Sequence, residues 1–186
     1  MKTRNIIILG LSFFFILFAS GFFFVVDQTK QVIVLQFGEP RAMHQTPGLK
    51  FKLPFIQNVV YYDSRVLNLD PAQEEVILRD QKRIVVDAIV RYMINDPLKF
   101  FQTTRTELAL NDRLGRIINS SVRGVIAQYE LNDLLSDKRN VIMAEIFENV
   151  REDQDNFGIE IVDLRLKRTE LTTEVQSNVF DRMRTE

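Results

Sequence analysis

Pro47-Gly48-Leu49-Lys50-Phe51-Lys52-Leu53-Pro54-Phe55-Ile56 reads as a strand with two faces. Leu49, Phe51, Leu53 and Phe55 alternate with Lys50, Lys52 and Pro54, the period-two pattern of a half-buried β-strand. Pro47-Gly48 opens it with a turn signal. Pro54 has no N–H to give a ladder, so the strand lies at an edge or ends there. The four apolar residues are expected to face a core, with Lys50 and Lys52 pointing away from it.

The flanks extend the β pattern. Gln31 to Phe37 is rich in β-branched and apolar residues and stops at Gly38-Glu39-Pro40. Asn58 to Asp63 supplies a further short strand. Val76 to Leu78 and Ile84 to Ile94 flank Asp80-Gln81-Lys82 and read as a hairpin. In its second arm Ile84, Val86, Ala88, Val90, Tyr92 and Ile94 share one face.

After Asn95-Asp96-Pro97 the period changes. Pro97 suits the first turn of a short helix reaching about Phe101. A longer helix from Glu107 to Tyr129 carries an inner stripe of Leu110, Leu114, Ile117, Ile118, Ser121, Val122 and Val125. Ser136 is read as the N-cap of a third helix, with Val141, Ile142, Ile146, Phe147 and Val150 inward and Gly158 at its end. Ile159 to Leu166 is a strand. Thr173 to Gln176 forms a capping box that opens a final helix with Val175, Val179, Phe180 and Met183 inward. That helix is expected to continue past Glu186.

At the other end, Ile6 to Val26 is a 21-residue run without a charge. As a helix it reaches about 31 Å, matching a hydrocarbon core of about 30 Å. Ile6, Leu9, Phe14, Leu17, Phe22 and Val26 are its anchor residues. Lys2 and Arg4 precede it, so its N-terminus is expected in the cytoplasm and the remainder exported. A cleaved signal peptide is the competing reading, with Ala19-Ser20-Gly21 as the cleavage cluster; the apolar run beyond it favours retention.

Composition narrows the function classes. The net charge is −1, unlike a general nucleic-acid binder. No cysteine is present, which removes thiol catalysis and Cys-ligated metals. His44, the single histidine, lies in a polar stretch and reads as a loop residue; it is the one centre on which a membrane-anchored hydrolase can be built. The glycines form no phosphate-cradling loop. Arg113, Arg116 and Arg123 read either as a solvated helix face or as a basic stripe for a subunit or lipid phosphate. Lys50, Lys52, Phe55 and Ile56 are the other candidate membrane-surface or subunit contacts. No catalytic, cofactor or metal residues are assigned.

The order of these features resembles the SPFH or band-7 family of stomatins, prohibitins, flotillins and the bacterial pair HflK and HflC. The resemblance is carried by Val32-Ile-Val-Leu-Gln-Phe-Gly-Glu-Pro40, Pro47 to Ile56, Tyr62-Asp-Ser-Arg65 and Val90-Arg-Tyr-Met-Ile94. Gly158-Ile-Glu-Ile-Val-Asp-Leu-Arg-Leu-Lys167 with Asn178-Val-Phe-Asp-Arg-Met-Arg184 is most similar to the HflC branch. In that branch a long Ala/Glu-rich helical segment follows these residues.

The resemblance implies an α+β fold with a mainly antiparallel curved sheet, packed by helices and preceded by one transmembrane helix. It divides the chain into a cytoplasmic N-terminus (1–5), the anchor (6–26), an SPFH domain (27–171) and the start of a C-terminal helix (172–186). It also implies a non-enzymatic scaffold without cofactors. Such a scaffold sits in the bacterial inner membrane with its SPFH domain in the periplasm. It forms a homo- or hetero-oligomeric ring with an HflK-like protein, contacts membrane lipids and regulates an FtsH-type membrane protease. A stomatin-like membrane-organising adaptor without protease regulation is the alternative within the same family.

Overall fold

The computed structural model describes residues 21–171, and the side chains of residues 21–167. The predicted anchor residues Ile6, Leu9, Phe14 and Leu17 and the predicted final helix lie outside the described residues. The described chain divides into two compact units, one ending at Arg65 and one beginning at Val66.

The first unit is all β: β1 (Phe23–Val26), β2 (Lys30–Gln36), β3 (Glu39–His44), β4 (Gly48–Phe51) and β5 (Gln57–Asp63). β1 and β4 form an antiparallel ribbon, and β2 runs between β3 and β5 in a three-stranded antiparallel sheet. Phe24, Val26, Val32 and Val34 make a buried cluster, with Val59 packed against it.

The end of the predicted membrane helix, Phe23 to Val26, is a strand. Phe24 and Val26 point into the cluster while Phe23 and Val25 point out. The Asp27 carboxylate accepts from the Thr29 N–H at 3.1 Å, a tight turn that feeds β1 into β2. An uncharged run fits a membrane helix and a two-faced apolar strand equally well.

Leu49, Phe51, Leu53 and Phe55, expected to face a core, are instead exposed. Pairing decides this. β4 sets Lys50 opposite Phe24 and Phe51 opposite Phe23. Directly opposite residues share a face of a ribbon, so Lys50 takes the inner side with Phe24. Its ammonium reaches the Thr46 hydroxyl at 3.0 Å. Within β4 the period of two holds with the face inverted; the strand ends at Phe51, so Leu53 and Phe55 lie beyond it in the turn that leads to β5 rather than on a strand face.

The second unit is α+β. Its strands are β6 (Leu67–Leu69), β7 (Glu74–Ile77), β8 (Arg83–Ile94) and β9 (Ile159–Leu171). Its helices are α1 (Pro97–Thr103), α2 (Glu107–Ile126), α3 (Leu131–Leu135), α4 (Arg139–Arg151) and α5 (Gln154–Phe157). β8 is the spine, antiparallel to β6, β7 and β9. Its predicted inner face, Ile84 to Ile94 at alternate positions, is buried. Ile159, Ile161, Leu164 and Leu166 of β9 are buried beside it, and two register shifts keep those apolar residues on one side.

Helix ends follow from sequence. Asp96 caps α1 by accepting from the N–H groups of Leu98 and Lys99, and Thr106 caps α2 through Ala109. Leu110, Leu114, Ile118, Val122, Val125 and Ile126 of α2, and Ile142, Ile146 and Val150 of α4, are buried. Ser136 does not cap the third long helix. It follows α3, and α4 begins after Lys138, whose N–H donates to the Ser136 hydroxyl at 3.3 Å. Val141 is exposed, because the face of α4 centred on Ile142 turns it outward.

Tyr92 lies fully within this core. Burial, with the Glu107 carboxylate adding to it, pushes its phenol up to about 12. An unfolded tyrosine ionises near 10, so stability falls as pH rises from about 10 through about 12. Alkaline titration of the phenolate absorbance of the wild type against Tyr92→Phe is expected to show that one late step missing in the variant.

Candidate functional site

The first unit presents an apolar surface that its own fold does not cover. Phe23 stands opposite Phe51, and Val25 opposite Leu49, on the outward face of the β1–β4 ribbon. The Phe22 ring stacks on Phe51 at 5.4 Å between centroids, and Phe23 meets Phe51 edge-on at 6.1 Å. Leu49 is 65% exposed and Phe51 58%. Four large apolar side chains on one small ribbon are more than the scattered exposed residues any soluble surface carries.

From Phe51 the chain passes Leu53, Pro54, Phe55 and Ile56 into β5. Gln36, at the end of β2, pairs with both Glu39 and Gln57. The turn holding Phe37 and the segment holding Phe55 therefore lie at the same end of the three-stranded sheet. Phe37 is 82% exposed and Phe55 92%. Both hold left-handed backbone, with φ of 54° and 66°. That conformation costs a side-chain-bearing residue about 1–2 kcal/mol, and turns usually place glycine or asparagine there. Two bulky, strained and solvent-exposed phenylalanines at one end of a sheet point to a surface made for contact.

The polar groups around this surface are modest. Lys52 donates its backbone N–H to the Phe22 carbonyl at 2.7 Å, which ties β4 to the start of the described chain. Gln36, Phe37, Glu39, Pro40 and Arg41 line an open cleft of about 430 Å³ beside the Phe37 turn. His44 lies on β3 opposite Val32, with its ring 6.0 Å from that of Phe24. The described residues contain no group of three His, Cys, Asp or Glu side chains able to hold a metal. No helix among them is long and apolar enough to cross a membrane.

Arg113, Arg116 and Arg123 form a separate set on α2 in the second unit. Arg113 donates to the Thr103 carbonyl at 2.8 Å, and Arg123 pairs with the Glu74 carboxylate. Asn119, between them, donates to the Ala72 carbonyl at 3.1 Å. Two of the three arginines thus brace α2 against neighbouring segments, while Arg116 is exposed. Of the predicted contacts in the first unit, Phe55 and Ile56 are exposed, while Lys50 and Lys52 are half-buried. The sequence reading missed Phe37, Phe23, Val25, Leu49 and Phe51 as surface residues. Its available signal was a phenylalanine where a turn wants glycine, at Phe37 before Gly38 and at Phe55 after Pro54.

The family model described as SPFH domain / Band 7 family matches residues 24–186. The chain belongs to this family. Band-7 relatives similar to it include Protein HflC of Buchnera aphidicola subsp. Schizaphis graminum, 28% identical over 98% of this chain and 66% of that protein. Protein HflC of Haemophilus influenzae is 28% identical over 87% of this chain and 59% of its own. The Escherichia coli K12 protein called Modulator of FtsH protease HflC is 25% identical over 88% and 63%. The chain thus spans less than two thirds of the length of these curated relatives. As an SPFH protein its match begins within β1, in agreement with Phe23 to Val26 belonging to the folded part.

Proposed function

We propose that this SPFH protein is a membrane-anchored scaffold that modulates an FtsH-type protease in the bacterial inner membrane. The observation that carries the membrane part is the exposure of Phe23, Val25, Leu49 and Phe51 on the outer face of the β1–β4 ribbon, together with that of Phe37 and Phe55 at one end of the three-stranded sheet. β1 follows closely on the uncharged sequence from Ile6 to Ser20. An apolar surface that continues a hydrophobic anchor is stabilised when it rests in the lipid headgroup and acyl boundary. Lys2 and Arg4, ahead of that run, support a cytoplasmic N-terminus with the SPFH units in the periplasm.

The protease part is supported by similarity to the protein called Modulator of FtsH protease HflC. On this reading the chain does no chemistry. It assembles with an HflK-like protein into a ring fixed to the membrane, and the ring limits which substrates reach the enclosed protease. Co-expression of this chain with an HflK-like protein and an FtsH-type protease, followed by gentle detergent extraction, tests it. The expected result is a discrete particle containing both scaffold proteins, many times the mass of one chain, and a changed rate of membrane-substrate degradation. A monodisperse single chain with unchanged degradation contradicts it.

A further inference from the structure

We infer that the outer edge of β9 pairs, antiparallel and centred on Leu164, with the same edge of a second copy of this chain. It adds to the scaffold reading a two-fold contact that closes a pair of copies, distinct from the contacts that propagate a ring, and for its biological role it rests on that reading. β8 is filled on both sides: β9 runs along one side, so β6 and β7 share the other. Among the described residues β9 pairs with β8 alone. An unpaired edge of this length is a template for another strand unless it is blunted.

The edge is blunted at two points only among the described residues. The Ile161 N–H donates to Gln154 Oε1 at 3.2 Å, and the Leu166 carbonyl accepts from Arg139 at 3.3 Å. Register shifts fall beside these same places, after Ile161 and after Leu166. They bend the strand there and confine regular pairing to the residues between. Those residues, Asp163 to Leu166, border an open groove of about 310 Å³ whose other wall is Arg139, Asn140 and Met143 of α4.

Charge selects the occupant and its direction. Glu160 and Asp163 precede Leu164, while Arg165 and Lys167 follow it. An antiparallel second copy aligned on Leu164 sets each Asp163 opposite the other chain's Arg165. A parallel copy in the same register sets acid on acid and base on base, which is destabilising for directly opposed side chains. Asp163 and Arg165 already pair within one chain at 2.8 Å. Association therefore closes a ring of four alternating charges and isolates none.

The chain has no cysteine, so single-cysteine pairs test the register directly. Full-length Asp163→Cys and Arg165→Cys chains are placed together in one membrane and oxidised mildly. Disulfide dimers between the two variants are expected in at least about ten-fold excess over dimers of either alone, since opposed Cβ atoms lie about 4.5–5.5 Å apart. In parallel, Asp163→Arg and Arg165→Asp each abolish the dimer by native mass, and the double reversal restores it; circular dichroism reports whether each variant folds. Equal or greater homotypic linking overturns the pairing. So does a multi-chain particle without the mixed link, which leaves the scaffold reading standing.

Discussion

Gly158→Ala is expected to lower the unfolding temperature of the second unit by about 10–20 °C, the shift for a loss of about 3–5 kcal/mol in a domain of this size. Gly158 joins α5 to β9 with φ of +67°. An added Cβ would stand 2.6 Å from the Asp96 carbonyl oxygen and 2.9 Å from the Phe100 nitrogen, both backbone atoms with little room to move. The Gly158 carbonyl also accepts from the N–H groups of Asn95 and Asp96, at 3.1 and 2.9 Å. Separating these backbones therefore loosens the start of α1 and the start of β9 together. Gly124→Ala is the control. Gly124 lies in α2 with nothing within 4 Å of its added Cβ. There alanine is expected to stabilise by up to about 1 kcal/mol through helix propensity. Thermal or denaturant unfolding of both variants checks the opposite signs.

Phe37 and Phe55 are expected to oppose stability in water and to supply membrane contact. Replacing both by asparagine, which tolerates left-handed backbone, should leave unfolding stability unchanged or raise it by about 1 kcal/mol. The same change removes two aromatic side chains from the lipid interface, each worth about 1.5–3 kcal/mol when buried. Seating of the first unit on the bilayer should then weaken by roughly a hundred-fold or more, because each 1.4 kcal/mol is a factor of ten. Unfolding in detergent-free buffer and hydrogen exchange of β4 and β5 in liposomes read the two effects separately. A core role for these rings predicts the reverse: lost stability and unaltered exchange in membranes.

Element order was legible in the sequence because it rests on periodicity and punctuation. The β8 face, the α2 stripe and the Pro97 helix start appear where local chemistry puts them, while Gly158 stops the short α5 rather than the third predicted helix, which already ends at Arg151. The face of β4 was not legible. Alternation of Leu49, Phe51, Leu53 and Phe55 with Lys50 and Lys52 gives two faces but not which one is inside. Choosing the apolar face as core assumes water outside. The β1–β4 register, which fixes Lys50 beside Phe24, is a long-range pairing that no local pattern states. Phe23 to Val26 failed for a related reason. Val25 and Val26 suit strand and membrane helix alike, and only pairing with Gly48 to Phe51 separates them. The two αL phenylalanines were half visible, as bulky residues where turns prefer glycine, but their exposure was not.

A single introduced indole reads out whether the exposed apolar residues of the first unit rest in the membrane. The chain contains no tryptophan, so Phe55→Trp gives one emitter in the full-length protein, with Leu135→Trp on exposed α3 as the reference. In bilayers containing brominated lipids, the F55W variant is predicted to emit at short wavelength and to be strongly quenched, while the L135W variant is not. An F55W variant that emits as a water-exposed indole and is quenched no more than the reference would put Phe55 in water and the first unit off the bilayer.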